Sequence, residues 1–510
     1  MIRRRKVKFS TVKRMIAPLL AVLMLLGLAA CAKPNTSDET TPAAAETVID
    51  PSTTEELYLG YKKDDIPDTL KYNKETVKIL YWSNAERPEF EIEEDADDSD
   101  RIISAIKTRN AAVQDRLDVV FEWDGQKGAV KQRADFTKYV ETQYNGSNYY
   151  DIIASYSRVA GMLATRGFLV DINTIDDNHI NFEQDWWPKT VIDTCTIGQS
   201  LYFISGDIST NTLHFMYGIY YNKELISSYN LDEPSTLVQN GTWTISKLID
   251  MTRDKYQDLN SNESADKEDF FGFCTVNFHC DAFYTGSDLM LVEQDPDKTL
   301  IISPDFSGEK AINLVAQLGT WLPTKDCIVN SDTYQVPFVS GQALFCQNRV
   351  YMADAINKCG LNAVNWKYGI VPTPKYNEDQ DDYITVMGNP FTLYGIGNGS
   401  SNYSRATAVL ECWASEAYRR TTPAIFEVNM KLRYAKDNID SQMFDILRAT
   451  CRYDLGRIFS DDLNFMSEMP SKAACAGTPW SAGLKSKVKI LNNSIAGIVS
   501  DLEKNAKLVK

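Results

Sequence analysis

The 510-residue chain has only three histidines, His179, His214 and His279, so a metal centre built on imidazoles is not expected. Its ten cysteines include no Cys-x-x-Cys pair, which excludes a zinc ribbon and a thioredoxin-like redox site. The serine-nucleophile pattern GxSxG, the phosphate loop GxxxxGK[ST], the zinc motif HExxH and the dinucleotide fingerprint GxGxxG are also missing. Gly395-Ile-Gly397-Asn-Gly399 has the wrong spacing for the last of these and reads as a flexible turn. Basic charge is in deficit. Against 69 Asp and Glu stand 53 Lys and Arg, a net charge of −16, and such a surface repels phosphate backbones. Nucleic acid is therefore not an expected partner. These absences leave one catalytic class untouched: a glycoside hydrolase could place its two carboxylates anywhere among the 69 acids, because only their separation in space identifies them.

Apolar residues make up 44% of the chain and aromatics 11%, enough for sizeable cores, and the length exceeds what one core usually spans. Residues 1–14 carry seven cations and no anion, and Met15–Ala30 is almost wholly apolar. Sixteen residues fall short of the roughly 20 a membrane-crossing helix needs, so the segment reads as a secretory signal peptide. Leu28-Ala29-Ala30-Cys31 resembles the bacterial lipobox, which implies cleavage before Cys31 and lipidation of its thiol. Removing residues 1–30 leaves 480 and deepens the net charge to −23. Residues 31–75 are expected to be the lipidated cysteine and a flexible tether, rich in Thr, Ala, Pro, Ser and Glu over residues 32–56, with folded sequence starting near Thr76. Nine cysteines remain after Cys31, an odd number, so most are expected to be small buried apolar residues, with Cys274–Cys280 as one candidate bridge.

The body alternates strand and helix. Val77–Trp82 reads as a strand, Arg101–Leu117 as an amphipathic helix, Asp118–Trp123 as a strand, Tyr150–Tyr156 as another and Val159–Thr165 as a short helix. Thr244 is placed to cap a helix starting at Ile245. Ala343–Cys346 and Gly369–Pro372 are further strands, Asn377–Asp382 an exposed turn, and helical patterns dominate from Ala406. This order predicts an α/β architecture with parallel sheets, and the unbroken composition after residue 76 favours two interwoven lobes over separate beads.

One loop has the spacing of a cation site. Asp258, Asn260, Asn262, Ser264, Asp266 and Asp269 fall at the first, third, fifth, seventh, ninth and twelfth positions of a twelve-residue stretch, as oxygen donors do in an EF-hand. Glu263 stands where the sharp turn favours Gly, and Asp269 is shorter than the usual bidentate Glu. Structural Ca²⁺ and a solvated acidic loop both fit.

The ordered set of segments resembles an extracellular solute-binding protein. It comprises the lipobox, Val77–Trp82, Tyr150-Asp-Ile-Ile153 with Gly161–Asp171, Gly198–Phe203, and Tyr221-Asn222-Lys223 with Leu225. Gly241-Thr-Trp243, Gly341–Phe345, Gly369–Lys375 and Pro423–Arg457 (with Leu432, Arg433, Tyr434 and Tyr453-Asp454) continue it. The family is the carbohydrate-type, maltose-binding-protein-like class of ABC-importer lipoproteins. The resemblance implies the two-lobe type II fold, with hinge crossovers near Ser205–Tyr217 and Met387–Leu393. Lobe 1 would comprise residues 76–210 with about 390–416, and lobe 2 residues 211–389 with about 417–510. It implies a monomeric binding protein, not an enzyme, held by lipid on the extracytoplasmic face of the cell membrane, taking a sugar or oligosaccharide as ligand and an ABC permease as partner. A receptor for another solute such as a peptide, or a surface carbohydrate-active enzyme, are the alternatives. Sugar recognition needs flat aromatics ringed by polar groups. Placed by the resemblance, Trp82, Asn84, Glu86, Tyr156, Ser157, Asp207, Tyr284 (or Phe283), Arg349, Tyr351 and Asn389 are the expected ligand residues, and the Trp186-Trp187 pair is expected to be packing.

Overall fold

The computed structural model describes residues 61–92, 96–97, 99–329, 332–353, 356, 366–435 and 437–506. Cys31, the leader and residues 32–60 of the expected tether lie outside these residues.

Two mixed sheets organise the chain. The first runs β2 (Val119–Gln126), β1 (Glu75–Trp82), β3 (Ile152–Tyr156) and β12 (Thr392–Ile396), the last antiparallel to β3 and the others parallel. The second runs β10 (Tyr368–Pro372), β4 (Tyr217–Asn222), β9 (Ala343–Arg349), β5 (Phe271–Thr275) and β8 (Cys327–Val329). Here β4 is antiparallel to both neighbours, while β9, β5 and β8 are parallel. The expected all-parallel sheets are thus corrected. A strand that enters from the other sheet, as β4 and β12 do, is not joined to its neighbour by the same-sheet crossover that makes strands parallel, and is free to pair antiparallel. Two short ribbons complete the strands: β6 (Val292–Gln294) with β7 (Leu300–Ile302), and β11 (Thr385–Val386) with β13 (Cys451–Arg452).

Local sequence explains the elements. In the helix Arg101–Leu117, Ile102, Ile106, Val113 and Leu117 form the buried stripe. Asp100 caps it by accepting from the Ile102 and Ile103 amides, and Asp118 closes it at φ 48° before β2. It packs against the helix Tyr403–Arg419, whose Trp413 meets Phe121 and Trp123. Thr244 caps the helix Ile245–Thr252 through the Lys247 amide, as its position suggested.

Folded structure begins earlier than Thr76. The Tyr61 ring lies 4.7 Å from that of Tyr418. Asp64 accepts two bonds from the Arg116 guanidinium, each 2.7 Å, and its amide donates to Ser415 Oγ. Residues 61–74 therefore pack on the first sheet's helices instead of hanging free, because Asp64 supplies the partner that half-buried Arg116 needs.

Two connections between the sheets run side by side. The first leaves Ile204, which bridges to Tyr394, and reaches Met216, which bridges to Met387 on the second. The Gly388 amide donates to Phe215 O (2.8 Å), tying the two together. Gly206 is required at the start of the first: a Cβ there would lie 2.2 Å from Trp186 O. The β11–β13 ribbon adds a third connection, reinforced by the Thr385 amide on Thr450 O.

Candidate functional site

Strands that end at one edge of each sheet deliver side chains to a common seam, and the carboxyl ends of parallel strands are where open α/β sheets bind ligands. From the first sheet come Trp82 at the end of β1 and Tyr156 at the end of β3, their rings edge-to-face at 5.5 Å. Both are fully buried, and Trp82 Nε1 donates to Thr392 Oγ1 (2.9 Å). From the second come Tyr217 at the start of β4 and Arg349 at the end of β9, which face each other in register. The charges acting on the Tyr156 hydroxyl are those of Arg158, Arg133, Arg349 and Glu86, and burial pushes its pKa up to about 12. Tyr217 is raised by burial too, and its surroundings are Arg349, Arg457, Asp281 and Tyr156. The two tyrosines therefore share one polar neighbourhood.

A bidentate ion pair crosses the seam. Arg349 Nη1 and Nη2 donate to Glu86 Oε1 (3.2 Å) and Oε2 (2.9 Å), and Nη2 also reaches Tyr351 Oη (3.2 Å). The guanidinium carbons of Arg349 and Arg87 each lie 4.8 Å from the centre of the Tyr351 ring, and Arg349 covers Phe215 at the same distance. On the other side, Arg133 and Arg158 converge on Asp461, and Arg158 Nη1 donates to Glu468 (3.0 Å). Asp281 accepts from Arg457 Nη1 (3.3 Å) and Ser471 Oγ (2.6 Å), and burial lifts its carboxyl to about 6. His279 Nδ1 donates to Gln347 O (3.0 Å), the only role a carbonyl permits, and burial keeps the ring neutral.

The expected residues separate into groups. Trp82, Glu86, Tyr156, Arg349 and Tyr351 come together as described. Ser157 and Asn389 meet beside them through Ser157 Oγ on Asn389 O (2.6 Å). Asn84 instead holds a neighbouring loop in place, since its Oδ1 accepts from the Gly128 and Ala129 amides and its Nδ2 reaches Gln132. Asp207 accepts from Arg448 at 3.2 Å to each oxygen, among Tyr61, Tyr418 and Asp185, a different neighbourhood from that of Tyr156. Tyr284 is buried toward Asp454 and Asp305, with its hydroxyl on Met290 O, and Phe283 packs on Phe273 and Trp321. In that helix it is Asp281, three residues before Tyr284, that faces the seam. The Trp186-Trp187 pair is packing, its two indoles donating to Glu411 Oε1 and Oε2.

Sequence reasoning did not single out Arg133, Arg158, Tyr217, His279, Asp281, Arg457 or Asp461. Arg457 and Asp461 reach the seam from the chain's last 60 residues, and no local pattern announces that. The Asp258–Asp269 loop is closed by its own bonds. Asp258 accepts from the Asn262 and Glu263 amides, Asp266 from the Asn260 and Asn262 side chains, and Asp269 from Leu259 N, Asp266 N and Tyr256 Oη. Glu263 adopts φ 63°, the conformation for which Gly is usually chosen. Among the described residues no three or more His, Cys, Asp and Glu side chains gather as a metal site. The candidate Cys274–Cys280 bridge is not formed: both thiols are free, and Cys280 Sγ lies 3.6 Å from that of Cys475.

No family model matches the chain, and no curated protein matches it. Solved structures do. A cyclo/maltodextrin-binding protein complexed with maltotetraose is 13% identical, with a TM-score of 0.55 over 83% of this chain and 98% of its own. The cyclic alpha-maltosyl-1,6-maltose binding protein from Arthrobacter globiformis is 12% identical, TM-score 0.55, over 83% and 99%. The GacH receptor of Streptomyces glaucescens is 13% identical, TM-score 0.52, over 86% and 100%. At these identities the likeness is one of fold. Each of these structures is named as a binding protein or receptor, and the chain shares their α/β fold with its two mixed sheets.

Proposed function

We propose that this protein is a lipid-anchored, extracytoplasmic receptor that captures a sugar or oligosaccharide between its two lobes and delivers it to an ABC permease. The observation that carries this reading is the seam itself. Strand ends from both sheets bring Trp82, Tyr156, Tyr217 and Tyr351 together with Glu86, Arg349 and Asp281, in a fold whose solved neighbours hold maltotetraose, acarbose or maltotriose. Aromatic faces suit the C–H faces of a pyranose, and the carboxylates and guanidinium groups suit its hydroxyls. Paired connections between the lobes would serve as the hinge, and the Glu86–Arg349 pair would be made as the lobes close on the ligand. Trp82 and Tyr156 form the floor, Glu86, Arg349 and Tyr351 the walls, and Ser157 and Asn389 the hinge side.

Lobe 1 is read as the first sheet with its helices, lobe 2 as the second, and the protein as a monomer. Cys31 is the anchor, and its replacement by Ser should release the protein into the medium and remove acyl mass from the N-terminal peptide. For the receptor itself, thermal denaturation is followed against mono- and oligosaccharides and peptides, with recovery of the ligand afterwards. A sugar that raises the midpoint and is recovered intact supports the reading. A response to peptides alone, or a hydrolysed sugar, would replace it with a peptide receptor or a surface enzyme.

A further inference from the structure

The bonds left unmatched at the seam have a chemical bias. Arg457 is 5% exposed, and its Nη1 is held by Asp281, yet Nε and Nη2, the two nitrogens that form one edge of the guanidinium, have no protein partner. Arg158 and Arg349, 3% and 6% exposed, each keep one unmatched donor, Nη2 and Nε respectively. Gln347 Nε2 is a further unmatched donor, its Oε1 being taken by Thr275. Against these donors stands one ring nitrogen, His279 Nε2, unmatched and left as an acceptor because Nδ1 carries the proton. Buried polar atoms without partners are costly, and more so when charged, so a cluster of them points to a group that completes it. Neutral sugar hydroxyls could satisfy single donors. A free Nε–Nη2 edge has a narrower complement: two oxygens about 2.2 Å apart on one planar atom, as in a carboxylate.

Placement supports this. Arg457 sits on the short helix Leu455–Ile458, packed against the helix Ser157–Thr165 that follows β3. Asp281 opens the helix after β5, so the Arg457 fork lies where material from both sheets meets, within the electrostatic neighbourhood of Tyr217. Resting on the receptor reading above, we propose that the ligand is an acidic saccharide, a uronate-containing mono- or oligosaccharide whose carboxylate seats on Arg457 Nε and Nη2. The pyranose ring lies toward Tyr156 and Tyr217, and one of its hydroxyls donates to His279 Nε2. The carboxylates around the seam, Glu86, Asp281, Asp461 and Glu468, are each already paired with an arginine. They balance the resident cations without filling the fork.

The test titrates the intact protein with oligomers of galacturonate, glucuronate and mannuronate, each as the free acid, its methyl ester and its neutral hexose counterpart. A free acid is expected to bind at least 100-fold more tightly than its ester. Arg457→Lys, which keeps the charge but not the fork, should lose most of that preference, while the unliganded melting temperature checks that it folds. Equal binding of ester and acid, or preference for neutral hexoses, overturns the acidic-ligand inference and leaves the receptor reading standing. Absence of binding by every saccharide overturns both.

Discussion

Two buried arginines of this protein, Arg109 and Arg457, are held differently, and the contrast sets an architectural network beside the proposed recognition site. Arg109, under the first sheet, donates from every nitrogen: Nε and Nη2 to Asn110 Oδ1, Nη1 to Ile208 O and Nη2 to Glu89 O. The neighbouring Glu89 carboxylate is equally saturated, by Tyr394 Oη, Ser209 Oγ and the Asn211 amide. Arg457, at the seam, has one held nitrogen and an open edge. A closed network rigidifies the core around it, whereas the open edge leaves donors for the ligand proposed above.

The largest expected effect breaks the closed network. Glu89→Ala strands the Arg109 charge and several donors, and should cost about 3–5 kcal/mol in denaturant unfolding. Arg457→Gln strands the buried Asp281 carboxylate, which can neutralise itself by taking up a proton as Arg109 cannot, so it should cost less stability while removing ligand response. A ranking in the opposite order would dissolve the contrast. Next is Tyr156→Ala, which empties a buried aromatic site. A loss of about 3–5 kcal/mol is expected, together with loss of the saccharide-induced rise in melting temperature. Tyr156→Phe should keep the fold, and so shows whether the hydroxyl matters to the ligand.

Packing at Trp186 and Trp187 predicts a pH effect. Burial raises Glu411 from an ordinary 4.5 to about 7, so the folded state holds its proton more tightly than the unfolded chain. Its contribution is therefore complete below pH 4.5 and declines as pH rises toward 7. Glu411→Gln should flatten the stability slope across that window, although the indoles lose one acceptor. An unchanged slope would show that Glu411 does not titrate there. Smallest is Glu86→Gln. Its side chain is 38% exposed, so the pair with Arg349 should be worth less than about 1 kcal/mol to stability. Its effect should appear in ligand affinity instead, because it frees Arg349 for the ligand. A stability loss beyond about 2 kcal/mol would move this pair to the architectural side.

Much of the first sheet was legible. Val77–Trp82, Tyr150–Tyr156 and the helix Arg101–Leu117 carry periods that one element dictates by itself, and Trp82 and Tyr156 follow as strand ends. Strand direction was not, since whether β4 and β12 lie parallel or antiparallel depends on which sheet the chain has just left. The site divided the same way. Glu86, Arg349 and Tyr351 sit a few residues beyond legible strands, while Arg457 and Asp461 depend on a return of the C-terminal segment that only tertiary contacts encode. Asp207 and Asn84 show the converse limit. A polar residue in the expected place can already be committed, to Arg448 and to the 128–129 loop respectively, and sequence does not reveal its partner.

Capture of an intact saccharide at the seam is decided by calorimetric titration of the intact protein with the saccharide panel, wild type and Tyr156→Ala run side by side and the ligand recovered for mass analysis. One saturable site per chain is expected in the wild type, with the heat abolished in the variant and a ligand of unchanged mass. Binding that survives unaltered in Tyr156→Ala, or a ligand recovered in fragments, would contradict such capture.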